Sequence, residues 1–189
     1  SEISKLFPEA STIRMDIDTV SKKNSHENIL NKFKNENIDI LIGTQMIVKG
    51  HHFPNVTLVG VIAADGTLNI GDYRAEERTF QTITQVAGRA GRGEQKGDVI
   101  VQTYNPDNYA IVCSKNQDYE KFYDGEIMLR KRLNYPPFCD IILIRVNGEN
   151  LENVKKVSAK LYEELLKERN ENLLIYKPVA SPIDKIQNT

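Results

Sequence analysis

The run Gln85-Val86-Ala87-Gly88-Arg89-Ala90-Gly91-Arg92 gathers the side chains best suited to hold an anion. At about 3.6 residues per turn, a helix places Gln85, Arg89 and Arg92 on one narrow face. Phe80, Ile83, Ala87 and Ala90 then lie roughly opposite, as a stripe fit for a core. Gly88 and Gly91 remove bulk beside the arginines, so a flat or branched anion could come close. Guanidinium forks match phosphate oxygens and stay charged at any workable pH. A solvated face would also set charge opposite an apolar stripe. Such faces mix signs and prefer long helix formers, whereas here both charges are positive and two glycines weaken the helix.

Other residues carry chemistry with less definition. Gly43-Thr-Gln-Met-Ile-Val-Lys-Gly-His-His-Phe-Pro54 offers a hydroxyl, an amide and glycine N–H groups, which suit phosphate without base preference. His51 and His52 invite a metal, but adjacent side chains point apart and no carboxylate or cysteine stands at ligand spacing. A structural or DNA-facing pair is the better reading, and no metal site is expected. Asp65 and Asp72 are either acid/base carboxylates or, more simply, caps, turns or partners for Arg74 and Arg78. Arg130-Lys131-Arg132 is the densest basic cluster; it either touches DNA or is solvated and answers a helix dipole.

These groups need a scaffold of limited size. The 189 residues allow one good core with a small appendage, or two small domains. Apolar content of 40% and charged content of 27% are ordinary for a soluble globular chain. A net charge of −1 gives no global basic field, so any DNA contact must come from a few placed groups. Cys113 and Cys139 cannot form a zinc cluster or a disulfide framework. No signal peptide or membrane-length apolar run occurs, so a soluble, intracellular protein is expected.

Hydrophobic periodicity predicts the elements. Strands are expected at residues 12–17, 38–43, 56–64 and 98–104, with helices at 25–35 (Ile29, Leu30 and Phe33 inward) and from 76 to 89 or beyond. Residues 44–54 read as a loop with a helical turn. Alternating strands and helices argue for a parallel sheet flanked by helices, whose ligands gather at the carboxyl ends of strands. Thr44, Asp65 and the loop before the arginine helix stand near such ends. Residues 109–133 read as one or two helices, and Tyr135-Pro136-Pro137-Phe138 breaks them. Beyond lie expected strands at 140–146 and 173–176 around a helix at 151–169. The abrupt beginning and end suggest an excised fragment, divided as residues 1–107, 108–135 and 136–189.

Gln-x-x-Gly-Arg-x-Gly-Arg resembles the sixth motif of superfamily 2 helicases, in the second RecA-like lobe of their motors. The resemblance implies that Arg89 and Arg92 are catalytic arginine fingers acting on ATP held by the first lobe. It gives Gln85, Gly88 and Gly50 to the nucleotide. The run from Gly43 to Pro54 resembles motif V, which assigns Thr44, Gln45, Lys49, His51 and His52 to the DNA backbone. An acid is common two positions after the glycine that is Gly50 here; His52 stands in its place and points to a particular branch. That branch is the bacterial replication-restart helicases, the PriA (primosomal protein N-prime) family. Asp65-Gly-x-Leu, Asp72-Tyr-Arg-x-x-Glu-Arg, Pro136-Pro137-Phe138 and Pro178-Val-Ala are similar to it as well.

The resemblance implies a RecA-like α/β lobe with a mostly parallel sheet, then an incomplete small α+β domain. It implies an ATP-dependent 3'-5' DNA helicase that restarts stalled forks and begins primosome assembly. ATP with Mg2+, forked or single-stranded DNA, primosome and single-strand-binding proteins are the implied cofactor and partners. The implied setting is a monomer in the bacterial cytoplasm, associated with the nucleoid and not with membrane. Zn2+ is implied for the full-length protein, with no ligands here. Neither a Gly-x-x-x-x-Gly-Lys-Ser/Thr loop nor an Asp-Glu-x-His block occurs, so half of an ATP site is expected, without hydrolysis by this chain alone. The rival reading is a non-catalytic module that binds fork DNA or partner proteins through the basic triplet. Another helicase branch is argued against by the blocks around His51-His52 and Asp72-Tyr73-Arg74.

Overall fold

The computed structural model describes residues 2–15, 25–44, 53, 55–88 and 97–181. Two compact units divide the chain, Ser1–Cys139 and Asp140–Thr189.

In the first unit, helix α1 (Glu2–Leu6) leads to strand β1 (Thr12–Met15), helix α2 (Ser25–Asn35) and strand β2 (Ile40–Gly43). β1 and β2 pair in parallel, Thr12 opposite Ile40 and Met15 opposite Gly43. Their register is set at the amino ends. The Asp39 carboxylate accepts from the Ser11 N–H at 2.8 Å and the Ser11 hydroxyl at 2.7 Å, while Ser11 Oγ accepts from the Asp39 N–H at 3.0 Å. Those bonds hold the Asp39 carboxyl below its ordinary value. α2 packs on β1 through its inward stripe, with Leu30 buried beside Met15 and Phe53, and Ile29 and Phe33 against them. All three inward positions expected of α2 are met.

Strand β3 (Leu58–Val61), helix α3 (Asp65–Leu68), helix α4 (Ala75–Ala87) and strand β4 (Asp98–Val101) follow. β3 and β4 are parallel, Leu58 opposite Asp98 and Val61 opposite Val101. The described strands therefore form two separate parallel pairs instead of one sheet. Thr44 follows β2 and Asp65 follows β3, so they stand at the ends of different ladders, not on one shared edge. The 56–64 run is also less buried than its composition implies, since Leu58 and Ile62 are exposed.

Two helices complete the unit. Helix α5 (Tyr109–Asn116) is capped by Asn108, whose Oδ1 accepts from the Ala110 N–H at 2.9 Å. Helix α6 (Tyr119–Leu133) is capped by Asp118, which accepts from the Lys121 N–H at 3.0 Å. Gln117 and Asn134 end the two helices in left-handed conformations, with φ of 52° and 54°. Their core is a stack of rings: Phe80 of α4 lies 4.3 Å from Phe122 of α6, and Tyr109 of α5 lies 5.6 Å from Phe122 on centroid distance. Ala110 and Cys113 close it. Tyr119 and Leu129 of α6 are exposed.

The second unit holds helix α7 (Leu151–Lys167), capped by Asn150. Val154, Ser158, Leu161, Tyr162, Leu165 and Leu166 form its partly buried stripe. The strands expected at 140–146 and 173–176 are not present; among the described residues only an isolated bridge joins Asn170 and Leu173. Ile141, Ile142, Leu143 and Ile144 are all exposed. A β-branched run becomes a strand only with a ladder partner to take its N–H and C=O groups, and none of the described residues supplies one.

Candidate functional site

α4 is the element that delivers the arginine octet. Its buried face is Ala75, Thr79, Phe80, Ile83 and Val86, so the expected stripe at Phe80 and Ile83 is present and Val86 extends it. Ala87 is half-buried, and Gln85 is exposed on the other side. The helix ends at Ala87, earlier than expected. Gly88 caps it at φ −67° and ψ 0°, with its N–H bonded to the Thr84 carbonyl at 3.0 Å. That conformation is open to any residue. Arg89, Arg92 and Ala90 lie outside the described residues, as do Gln45, Lys49, Gly50, His51 and His52.

Of the expected site residues, then, Thr44, Gln85 and Gly88 have a described place. Thr44 is exposed just after β2. Gln85 and Gly88 both line a groove of about 620 Å³ between α4 and α6, and Thr44 is not part of its lining. Thr84 lines the same groove, and its buried Oγ1 has no hydrogen-bond partner among the described residues.

The carboxylates resolve into structural roles. Asp72 accepts from Arg74 Nε at 3.2 Å and Nη2 at 3.1 Å, and pairs with Arg78 Nη2 at 3.1 Å. The Arg74 hydrogen bond, above all, holds the Asp72 carboxyl below its ordinary value. Asp65 accepts from the Thr103 hydroxyl at 2.8 Å and the Tyr104 N–H at 3.0 Å, tying the carboxyl ends of β3 and β4 together. Desolvation opposes ionisation there, but these bonds outweigh it and lower the Asp65 value. Ala63, two residues earlier, adopts φ 57°, a left-handed conformation that costs an alanine about 1–2 kcal/mol.

Arg130 departs from both readings of the basic triplet. Its side chain is 13% exposed, with Nε bonded to Glu126 Oε1 and Nη2 to Glu77 Oε2, each at 2.8 Å. Its guanidinium also lies 5.2 Å over the Tyr73 ring, which stacks on Tyr135. Lys131 and Arg132 remain exposed. Glu126, buried at 6% exposure, also accepts from the Tyr109 hydroxyl; desolvation and that bond push the Tyr109 phenol upward. Beside it, Glu76 takes a bond from Asn108 Nδ2 at 3.1 Å but leaves Oε2 buried without a partner among the described residues. Burial raises the Glu76 carboxyl. Sequence reading missed this network, although Glu126 and Arg130 stand at the i,i+4 spacing that favours an acid-to-base pair.

Among the described residues, no three His, Cys, Asp or Glu side chains gather as a metal site, and no helix is long and apolar enough to cross a membrane. The carboxylates on and near α4 at Asp72, Glu77 and Glu126 are committed to cations of this chain.

Comparison with known proteins bears on the whole arrangement. Residues 4–94 match the family model of the helicase conserved C-terminal domain, and residues 131–189 match that of the primosomal protein N C-terminal domain. Replication restart protein PriA of Bacillus subtilis (strain 168) is 46% identical over 187 residues, covering 99% of this chain and 23% of that protein. The protein of the same name from Borreliella burgdorferi is 40% identical, over 97% of this chain and 28% of its own. That from Rickettsia felis is also 40% identical, over 98% and 28%. The chain thus spans about a quarter of the length of these relatives. An α/β helicase C-terminal lobe followed by a primosomal C-terminal segment, alike in sequence almost end to end, places this chain in the PriA replication-restart family.

Proposed function

We propose that this chain is the second motor lobe of an ATP-dependent 3'-5' DNA helicase that restarts stalled forks and begins primosome assembly. Residues 1–107 form the lobe, 108–135 its helical connection and 136–189 the beginning of a C-terminal α+β domain. ATP binds between this lobe and another that carries the phosphate loop and the Mg2+ ligands. Gln85, Gly88 and Gly50 contact the nucleotide, and the Arg89 and Arg92 guanidiniums neutralise charge on the transferring phosphoryl group. Thr44, Gln45, Lys49, His51 and His52 hold the DNA backbone, so closure on ATP steps the strand. The chain alone hydrolyses no ATP. Forked or single-stranded DNA, primosome and single-strand-binding proteins are its partners, in a monomer of the bacterial cytoplasm and nucleoid. The full-length protein carries Zn2+ on ligands outside this chain, and no step here runs through it.

The observation that carries this reading is α4 itself. It buries Phe80, Ile83 and Val86, leaves Gln85 exposed and terminates at Gly88, so the chain leaves a fixed helix end at the arginine motif. The non-catalytic alternative relied on the basic triplet, and the engagement of Arg130 with two glutamates weakens it. Arg92→Ala in the full-length protein is the test. DNA-stimulated ATP hydrolysis should fall by about a thousandfold, as for other arginine fingers; a fall below about tenfold refutes the role.

A further inference from the structure

We propose that Arg130 is a positioning residue for the arginine motif, holding α4 in the register that Arg89 and Arg92 need; the proposal rests on the nucleotide role assigned to that motif. Arg130 grips α4 at its beginning from two directions. One arm of the guanidinium bonds Glu77, in the first turn of α4, at 2.8 Å. Its face covers Tyr73, two residues ahead of the helix, at 5.2 Å. The other arm is locked at 2.8 Å by Glu126 of its own helix. The fork is therefore fixed in α6 before it reaches α4, and a planar fork constrains both the position and the rotation of what it holds.

α4 transmits that constraint. Glu77 Oε1 accepts from Gln81 Nε2 at 3.0 Å, and Gln85 lies one further turn along the same face. Glu77, Gln81, Gln85 and Gly88 all line the groove that Arg130 lines from the other side. At about 1.5 Å per residue, Glu77 and Gly88 are about 16 Å apart on one continuous rod. A slip or roll at the clamped end is therefore repeated where the chain enters the arginine motif. The clamp is poorly suited to stability alone, because ion pairs removed from water seldom outweigh an apolar packing of equal volume; setting register is the better attested use of such pairs. Misplacing a catalytic group by about 1 Å can cost about a hundredfold in rate, so a register device here has a catalytic consequence.

The test is a double-mutant cycle in the full-length protein, measuring kcat and KM for DNA-stimulated ATP hydrolysis below the melting temperature of every variant. Arg130→Met should lower kcat at least about tenfold and change KM for ATP by less than about twofold, the pattern of a lost transition-state contact. Arg130→Lys, which keeps charge but cannot fork, should fall between the two. In an Arg89→Ala/Arg92→Ala background, Arg130→Met should cost less than about twofold more, because both contacts it positions are already gone. Multiplying losses, or an unchanged kcat, overturn the positioning role. Should Arg130→Met not fold, Glu77→Gln carries the test, since it leaves the Arg130–Glu126 pair in place; about threefold in kcat is expected, again absent beside Arg89→Ala/Arg92→Ala. A weak effect of Arg92→Ala alone overturns the nucleotide reading instead, so the two failures are distinct.

Discussion

Arg130 is also where the energetics of this fold are most sharply testable. Its two carboxylate partners differ in burial: the Glu126 side chain is 8% exposed and the Glu77 side chain 37%. Arg130→Met deletes the guanidinium and leaves the Glu126 carboxylate, among the described residues, with the Tyr109 hydroxyl alone. Removing one member of a buried pair costs about 3–5 kcal/mol, because the remaining charge is stranded away from water. The Glu77 arm is half open to solvent, so Glu77→Gln should cost only about 0.2–1 kcal/mol. Arg130→Met/Glu126→Leu removes both charges and should return most of what the single change lost. At about 2–4 °C per kcal/mol for a chain of this size, Arg130→Met should melt at least 6 °C or so lower, with Glu77→Gln within about 4 °C of the parent. Thermal unfolding by circular dichroism reads these shifts, and hydrogen exchange at the α4 and α6 amides assigns them to the first unit. Equal costs for Arg130→Met and Glu77→Gln, or no recovery in the double variant, would refute the view that desolvation of Glu126 governs this cluster.

Two further predictions concern pH. Burial raises the folded Glu76 carboxyl above its ordinary value, so its ionisation costs stability as pH rises through that window; Glu76→Gln should melt a few degrees higher at pH 7, with the gain vanishing once pH falls below the ordinary carboxylate range. Asp72 has the opposite sign: its folded value is lowered, so its contribution is complete above the ordinary value and disappears as pH falls through the folded one. Asp72→Asn should therefore lose about 0.5–2 kcal/mol near neutrality, for two partly exposed pairs, and match the parent in strong acid; urea midpoints across pH measure it.

Much of this chain is written locally. The inward face of α2, the buried face of α4 and the caps at Asn108, Asp118 and Asn150 follow from side-chain spacing and from short polar groups meeting the first free N–H groups of a helix. The pairing of Asp72 with Arg74 and Arg78 was legible for the same reason, since all three lie within about two turns of chain. The arginine octet and the blocks around it carried the family.

What tertiary structure alone decided are the long-range choices. Arg130 could have been a solvated cation or a DNA contact; it became a clamp because folding set Glu77, 53 residues away, against a carboxylate already buried on α6. The runs at 140–146 and 173–176 have the composition of strands, yet they form no ladder among the described residues, because a strand is a property of two segments and not of one. Likewise the apolar run through β3 revealed its strand but not its exposed face. Sequence by itself determined the longer helices and the family, which depend on neighbours in the chain; only the fold decided which charge meets which and which strands pair, because those energies depend on desolvation and on partners distant in sequence.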